Sequence, residues 1–237
     1  MQSLKDYYRS TVDSNDEMKS GWATLYYGVF SKVINDNNYK TVAEVGVGFG
    51  AHAKYVLKTT SVDKLYLVDP VRQYADGFAD AIMNCTPEVP DNNFNELYDL
   101  IKNELTTWED RYTFFRVPSL DITNEQIADG SLDCVFVDGD HSYEAVKNDL
   151  PFWWKKVRVG GKMLGDDYWM DTVAKGVNEF ANDIQVTPEF LTLEGNPYKI
   201  FSFSKVAESA PAAPEAAPET VPVSEAVPAV PEPEAQV

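Results

Sequence analysis

The chain is short of cysteine, with two among its 237 residues, too few to frame a fold with disulfides. One of them, Cys134, lies in the apolar run Leu132-Asp133-Cys134-Val135-Phe136-Val137 and reads as a packed thiol in a buried strand. Positive charge is scarce too: 20 Lys and Arg face 38 Asp and Glu, for a net charge of −18. A phosphate-neutralising surface needs a basic footprint, so nucleic acid and anionic lipid are both excluded as expected partners. No apolar run approaches the ~20 residues that span a bilayer, and the polar stretch from Met1 to Gly21 lacks the apolar core of a signal peptide. The expectation is a soluble, intracellular, cytoplasmic protein. What is present is apolar and aromatic: a hydrophobic fraction of 44% with 13% aromatics supports a sizeable core in one domain.

Composition changes after Val206. Residues 207–237 hold seven of the 14 prolines, six glutamates, no aromatic residue and no Lys or Arg. Such a segment cannot bury enough apolar surface to offset its chain entropy, so a disordered, partly polyproline-like tail is expected. Its six glutamates carry −6 of the charge and leave −12 on residues 1–206, the expected folded domain.

Within that domain, short β-rich runs alternate with segments of helical period, the pattern of βαβ units on a parallel sheet. Strands are expected at Thr41–Val47, Lys64–Val68, Tyr112–Val117, Leu132–Val137 and Lys162–Leu164. Helices are expected from Ala51, over Phe94–Trp108, Tyr143–Trp154 and Thr172–Asn182, and at least once within Met18–Ile34. Two further strand-like runs, Ile184–Leu193 and Lys199–Phe203, are joined by Glu194-Gly195-Asn196-Pro197, too short for a crossover helix, so they should form an antiparallel hairpin.

The run Thr41-Val42-Ala43-Glu44-Val45 leads straight into Gly46-Val47-Gly48-Phe49-Gly50 and a helix. Glycines permit a tight turn and close backbone approach, and the helix N-terminus presents free N–H groups to a polar or anionic ligand. Gly46-x-Gly48-x-x-Ala51 fits a dinucleotide fingerprint, and Asp69, ending the second strand, stands at the right distance to hold a ribose hydroxyl pair. Nicotinamide and S-adenosylmethionine proteins share this arrangement.

A second constellation is acidic. Asp138 ends the fourth expected strand in Val137-Asp138-Gly139-Asp140-His141-Ser142-Tyr143, and Asp166 and Asp167 end the fifth in Gly165-Asp166-Asp167-Tyr168. Adjacent parallel strands bring their carboxyl ends to one rim, where open α/β sheets bind ligands. Three carboxylates there repel one another unless a cation, a shared proton or solvent intervenes, and hard oxygen ligands suit Mg²⁺. Asp138 also has a simpler reading as a helix cap, and the Asp166-Asp167 pair one as solvated loop charge. Asp140 is read as the cap of the helix beginning near Ser142. His141 lies on the same rim; the other histidine, His52, is read as a first-turn helix residue. Tyr143, Tyr168 and Trp169 are rim aromatics that would stack on a ligand or pack internally.

Glu44-x-Gly46-x-Gly48-x-Gly50 together with the terminal hairpin resembles the class I S-adenosylmethionine-dependent methyltransferases, and the Asp-Gly-x-His-Ser-Tyr and Gly-Gly…Asp-Asp-Tyr stretches resemble the metal-dependent sugar O-methyltransferases of the macrocin type. The resemblance covers about residues 40–205. It implies a Rossmann-like, mostly parallel seven-stranded sheet flanked by helices and ending in an antiparallel hairpin, with residues 1–38 as an N-terminal helical cap. By the same resemblance Glu44 orients the methionine end of S-adenosylmethionine, Gly46, Gly48 and Gly50 pack against it, Asp69 takes the ribose, and Ser119 and Leu120 line the adenine. Asp138, Asp166 and Asp167 become Mg²⁺ ligands, with Asp138 also beside the cofactor, and His141 becomes the general base acting on a sugar or glycan hydroxyl. A catechol or other small-molecule diol is the alternative acceptor, and a nicotinamide-dependent reductase the alternative class. The insert from Arg72 to Asp110 is read as a lid or as a contact in a homo-oligomer.

Overall fold

A computed structural model describes residues 3–16, 26–72, 90–195 and 198–207. Of the expected tail, 207–237, all but Ala207 lies outside them, as does Cys85. All the described residues fall within one compact unit.

Seven strands, β1 Thr41–Val45, β2 Lys64–Val68, β3 Tyr112–Phe115, β4 Leu132–Val137, β5 Val157–Gly165, β6 Glu189–Leu191 and β7 Ile200–Ser204, form one sheet in the order β3-β2-β1-β4-β5-β7-β6. Strands β1 to β5 are mutually parallel; β7 runs antiparallel to both β5 and β6. Strand period 2 sends side chains to opposite faces. Val42, Cys134 and Phe136 pack on one side with α1 Leu4–Asp16, α2 Gly28–Asn37, α3 Ala51–Thr59 and α4 Pro90–Glu104. Ala43, Val45, Val135 and Val137 pack on the other with α5 Tyr143–Lys156 and α6 Asp171–Ile184. Both faces being covered explains the near-continuous apolar reading of β4.

Several boundaries differ from expectation for local reasons. β1 stops at Val45, not Val47, because Gly46 turns the chain at φ +84°. β5 begins at Val157, well before Lys162, since the chain past β7 gives it a partner: Gly160 N–H donates to Lys205 O and Lys205 N–H to Gly161 O. The expected strand from Ile184 shrinks to Glu189–Leu191. The apolar stripe Val173, Val177, Phe180, Ala181 carries α6 through Ile184, and Gln185 ends it in the left-handed conformation at φ +54°. The helix expected over Phe94–Trp108 begins at Pro90 and ends at Glu104, followed by a 3-10 turn at Thr106–Trp108. Phe94, Leu97, Ile101 and Leu105 are buried, so this part of the 72–110 insert is core; residues 73–89 lie outside the described set.

Candidate active site

Strand β1 has β2 on one side and β4 on the other, so the crossovers leave in opposite directions and the carboxyl ends of β1 and β4 form the topological switch point. The ladder continues one residue beyond the strands: Gly46 N–H donates to Val68 O at 2.9 Å, Asp138 N–H to Val45 O at 2.8 Å and Asp166 N–H to Val137 O at 3.2 Å. Sheet register thus fixes the backbone of the first glycine and two of the acids. At the switch point the two loops touch. A Cβ on Gly46 would lie 1.8 Å from Asp138 O, whereas one on Gly48, at φ +54°, would meet none of the described residues within 4 Å.

Asp69 is buried and ties the glycine turn to β2. Its Oδ2 accepts from Val47 N–H at 2.8 Å and Gly48 N–H at 3.3 Å, and its Oδ1 from Val71 N–H at 2.6 Å. Glu44 points into the α2–α3 side of the sheet, where its Oε1 lies 3.6 Å from His52 Nδ1. Burial pushes the Glu44 carboxyl up, against the opposing effect of His52. Glu44 Oε2 and His52 Nε2 are buried without a hydrogen-bond partner among the described residues, and the imidazole is enclosed by the rings of Tyr26, Tyr27, Phe30 and Phe136.

On the β4–β5 side, Asp138, His141 and Asp167 each offer a ligand atom within 4.8 Å of the others. His141 Nε2 lies 2.8 Å from Asp167 Oδ2 and 3.7 Å from Asp138 Oδ1. The facing Asp138 and Asp167 carboxylates push the imidazole up to about 10. Asp166 stands beside this cluster: its Oδ1 accepts from Asp167 N–H and from the Tyr198 hydroxyl, both at 2.6 Å. Burial, then Asp138 and Asp167, push Asp166 up to about 8. Two further side chains brace the carboxylates, the Tyr26 hydroxyl donating to Asp138 Oδ2 at 3.1 Å and Trp169 Nε1 to Asp167 Oδ1 at 2.8 Å.

A family model described as a methyltransferase domain matches residues 43–168, from the middle of β1 to just past Asp167. The chain belongs to that methyltransferase family. Solved structures agree on the fold. An S-adenosylmethionine-dependent methyltransferase, so described provisionally, from Methanococcus maripaludis aligns with a TM-score of 0.55 at 14% identity, over 87% of this chain and 95% of that one. An O-methyltransferase from Bacillus cereus, in complex with S-adenosylhomocysteine, aligns at 0.55 with 15% identity, over 84% and 91%. An uncharacterised protein of Acanthamoeba polyphaga mimivirus is 41% identical over 58 residues, 23% of this chain, so the chain spans about a quarter (26%) of that relative. The sheet order and terminal hairpin are those of the class I methyltransferase fold. Family membership sets aside the nicotinamide-dependent reductase.

In this methyltransferase the glycine turn, Asp69, Ser119, Asp138, Asp166 and Asp167 all stand at the carboxyl rim of the sheet, and Leu120 is half exposed beside Ser119. Other expectations shift. Asp140 is not the helix cap: Ser142 is, its Oγ accepting from Ala145 N–H, while Asp140 Oδ1 accepts from Ser142 N–H one step earlier. Tyr143 donates to Glu179 on α6 and lies under Lys175, and Tyr168 packs on Phe190 and bonds Asn178, so both are tied internally. Only Trp169, of the three expected aromatics, is well exposed, at 68%.

Sequence reasoning missed Tyr26, Tyr198 and Asp149. The first two sit in elements whose place over the rim depends on the tertiary fold. Asp149 did carry a signal: Val146, Asp149, Leu150 and Trp153 follow the i, i+3, i+4, i+7 stripe of a buried helix face, where a carboxylate needs a reason. It is buried, it accepts from Ser119, and burial pushes it up to about 6. With its folded value above the unfolded one, ionising Asp149 opposes folding, and that penalty sets in as pH rises from about 4 to 6. Relative to wild type, Asp149→Asn should therefore gain on the order of 3 kcal/mol between pH 4 and pH 7. Urea unfolding at the two pH values checks this; a pH-independent difference would show that Asp149 ionises freely in the folded state.

Proposed function

We propose that the chain transfers the methyl group of S-adenosylmethionine to a hydroxyl of a sugar or glycan, with Mg²⁺ or a similar divalent ion at the acidic rim and His141 as general base. The observation that carries this reading is the convergence of Asp138, His141 and Asp167 beside the glycine turn at the switch point.

The residues fit both groups. No described residue lies within 4 Å of a Cβ placed on Gly48, which leaves room for a ligand against backbone, and Glu44 Oε2, unpartnered among the described residues, is an acceptor suited to the ammonium of the methionine end. Asp69 keeps acceptor capacity toward a ribose only beyond the three N–H groups it already receives. The rim supplies carboxylate oxygens, the donor chemistry of a hard cation, and Asp138, Asp166 and Asp167 would hold it. Such an ion would supply Lewis-acid chemistry that makes an acceptor hydroxyl easier to deprotonate. S-adenosylmethionine supplies an electrophilic methyl on sulfonium.

His141 supplies the proton acceptor. Asp138 and Asp167 hold a proton on His141, which would serve as the base with their charge offset by a cation. With S-adenosylmethionine bound, His141 would take the proton of the acceptor hydroxyl as its oxygen gains the methyl carbon and the sulfonium is released as a neutral thioether. Positioning of the oxygen in line with that bond contributes most of the rest. The sugar reading draws support from the motif resemblance and from Trp169, whose exposed indole is held at the rim through Asp167 and offers an apolar face to a ring.

The test is an activity screen with S-adenosylmethionine across deoxysugar, polysaccharide and catechol acceptors, with and without Mg²⁺. Binding of S-adenosylhomocysteine and NADH is measured alongside; preference for NADH would overturn the cofactor reading. His141→Ala should lower turnover by about 10²–10⁴-fold while acceptor KM changes far less; an unchanged rate would mean that another group takes the proton.

A further inference from the structure

The Ser119 hydroxyl lies between two groups whose hydrogen-bonding roles are fixed. It donates its proton to Asp149 Oδ1 at 2.5 Å and accepts from Trp153 Nε1 at 2.8 Å. An ionised carboxylate only accepts and an indole N–H only donates, so the single hydroxyl proton is committed and one of two lone pairs is already used. Trp153 is fully buried and Asp149 nearly so, both on the inward face of α5, which prevents either from turning away. Ser119, by contrast, is only partly buried, on the 3-10 turn Ser119–Asp121 at the carboxyl end of β3. What remains of its capacity is one lone pair, available to a ligand that donates.

We propose that Asp149 is a specificity-determining residue: by holding the Ser119 proton, it makes Ser119 an obligate acceptor and so selects a 6-aminopurine over a 6-oxopurine in the cofactor. This inference rests on the proposed use of S-adenosylmethionine and on Ser119 lining its adenine. The exocyclic amine of adenine donates to the free lone pair, whereas a 6-oxo group in its place sets two acceptors against each other. A buried polar group left facing a like group loses its hydrogen bond and keeps its desolvation penalty. Asp149 acts here through the Ser119 hydroxyl that donates to it, so it is a positioning residue.

The experiment is isothermal titration of the full chain with S-adenosylhomocysteine and with S-inosylhomocysteine, which carries a 6-oxo group for the 6-amine and, with it, an N1–H for the N1 acceptor. Wild type should prefer the adenine ligand at least tenfold. Asp149→Asn brings an amide N–H₂ that donates to Ser119 and releases its proton outward, so the preference should fall to within about threefold. Trp153→Phe leaves the proton on Asp149 and should keep the wild-type ratio although it loosens the core. Ser119→Ala should lose the preference and serves if Asp149→Asn does not fold. A merely structural Asp149 would weaken both ligands alike and leave the ratio unchanged. Equal binding of the two ligands by wild type, or an unchanged ratio in Asp149→Asn or Ser119→Ala, overturns the assignment. Failure of wild type to bind S-adenosylhomocysteine at all overturns the cofactor reading itself.

Discussion

Gly46→Ala should destabilise the protein by on the order of 3–5 kcal/mol or prevent it from folding. The added methyl would sit 1.8 Å from Asp138 O and 2.4 Å from Asp138 C, and what it strikes is backbone. Neither chain has room to yield, because Gly46 N–H is bonded to Val68 O and Asp138 N–H to Val45 O. The left-handed φ of +84° adds its own strain of about 1–2 kcal/mol for a residue with a Cβ. Gly48→Ala is the informative contrast. It shares a positive φ, +54°, but its methyl meets none of the described residues within 4 Å, so the stability loss should be limited to backbone strain. That methyl would instead stand where a cofactor is proposed to lie and should weaken S-adenosylhomocysteine binding tenfold or more. Urea unfolding and titration of the two variants separate the effects. A Gly46→Ala protein as stable as wild type would show that the β1 and β4 loops do not meet as described.

Asp167→Asn should abolish metal-supported methyl transfer, with a loss of at least about a hundredfold, while S-adenosylhomocysteine affinity stays within about threefold. Asn is preferred to Ala here because Asp167 occupies φ +58°, a conformation that Asn tolerates and Ala does not. The amide keeps an acceptor for Trp169 Nε1 and fills the same volume, so the change falls on charge. Asp138→Ala should likewise abolish metal-stimulated turnover, and it also removes the acceptor of the Tyr26 hydroxyl. The direct readout is binding of Mg²⁺ or Mn²⁺ to wild type and Asp167→Asn by titration, followed by turnover in excess chelator. Full activity in chelator would refute a metal at the rim and leave Asp138, His141 and Asp167 as a hydrogen-bonded cluster.

Much of this site was legible in the sequence because its residues cluster in short segments, each ending a strand. A parallel sheet sends all such ends to one rim, so recognising β1, β2, β4 and β5 was enough to bring Gly46, Asp69, Asp138 and the Asp166-Asp167 pair together. Roles that turn on partners across the fold were less legible. Asp140 and Ser142 are close in sequence and compete for one helix end; which of them caps depends on the backbone between them. Tyr143 and Tyr168 look like rim aromatics until Glu179, Asn178 and Phe190 arrive from α6 and β6 to engage them.

By itself the sequence determined the class of fold, through the alternation of apolar strand runs with helical periods and the short Glu194-Gly195 link that forces β6 and β7 to run antiparallel. It also determined which carboxylates share the rim, since strand-end position is a local property. The tertiary structure alone decided how those groups are engaged. It buried Glu44 against His52, bound Asp69 to the glycine turn, set Tyr26 and Tyr198 on the acids and directed the Ser119 hydroxyl to Asp149. The physical reason is that hydrogen-bond donors and acceptors pair by proximity in space, across as many as 112 residues of chain here, and no periodicity of the sequence encodes such distances.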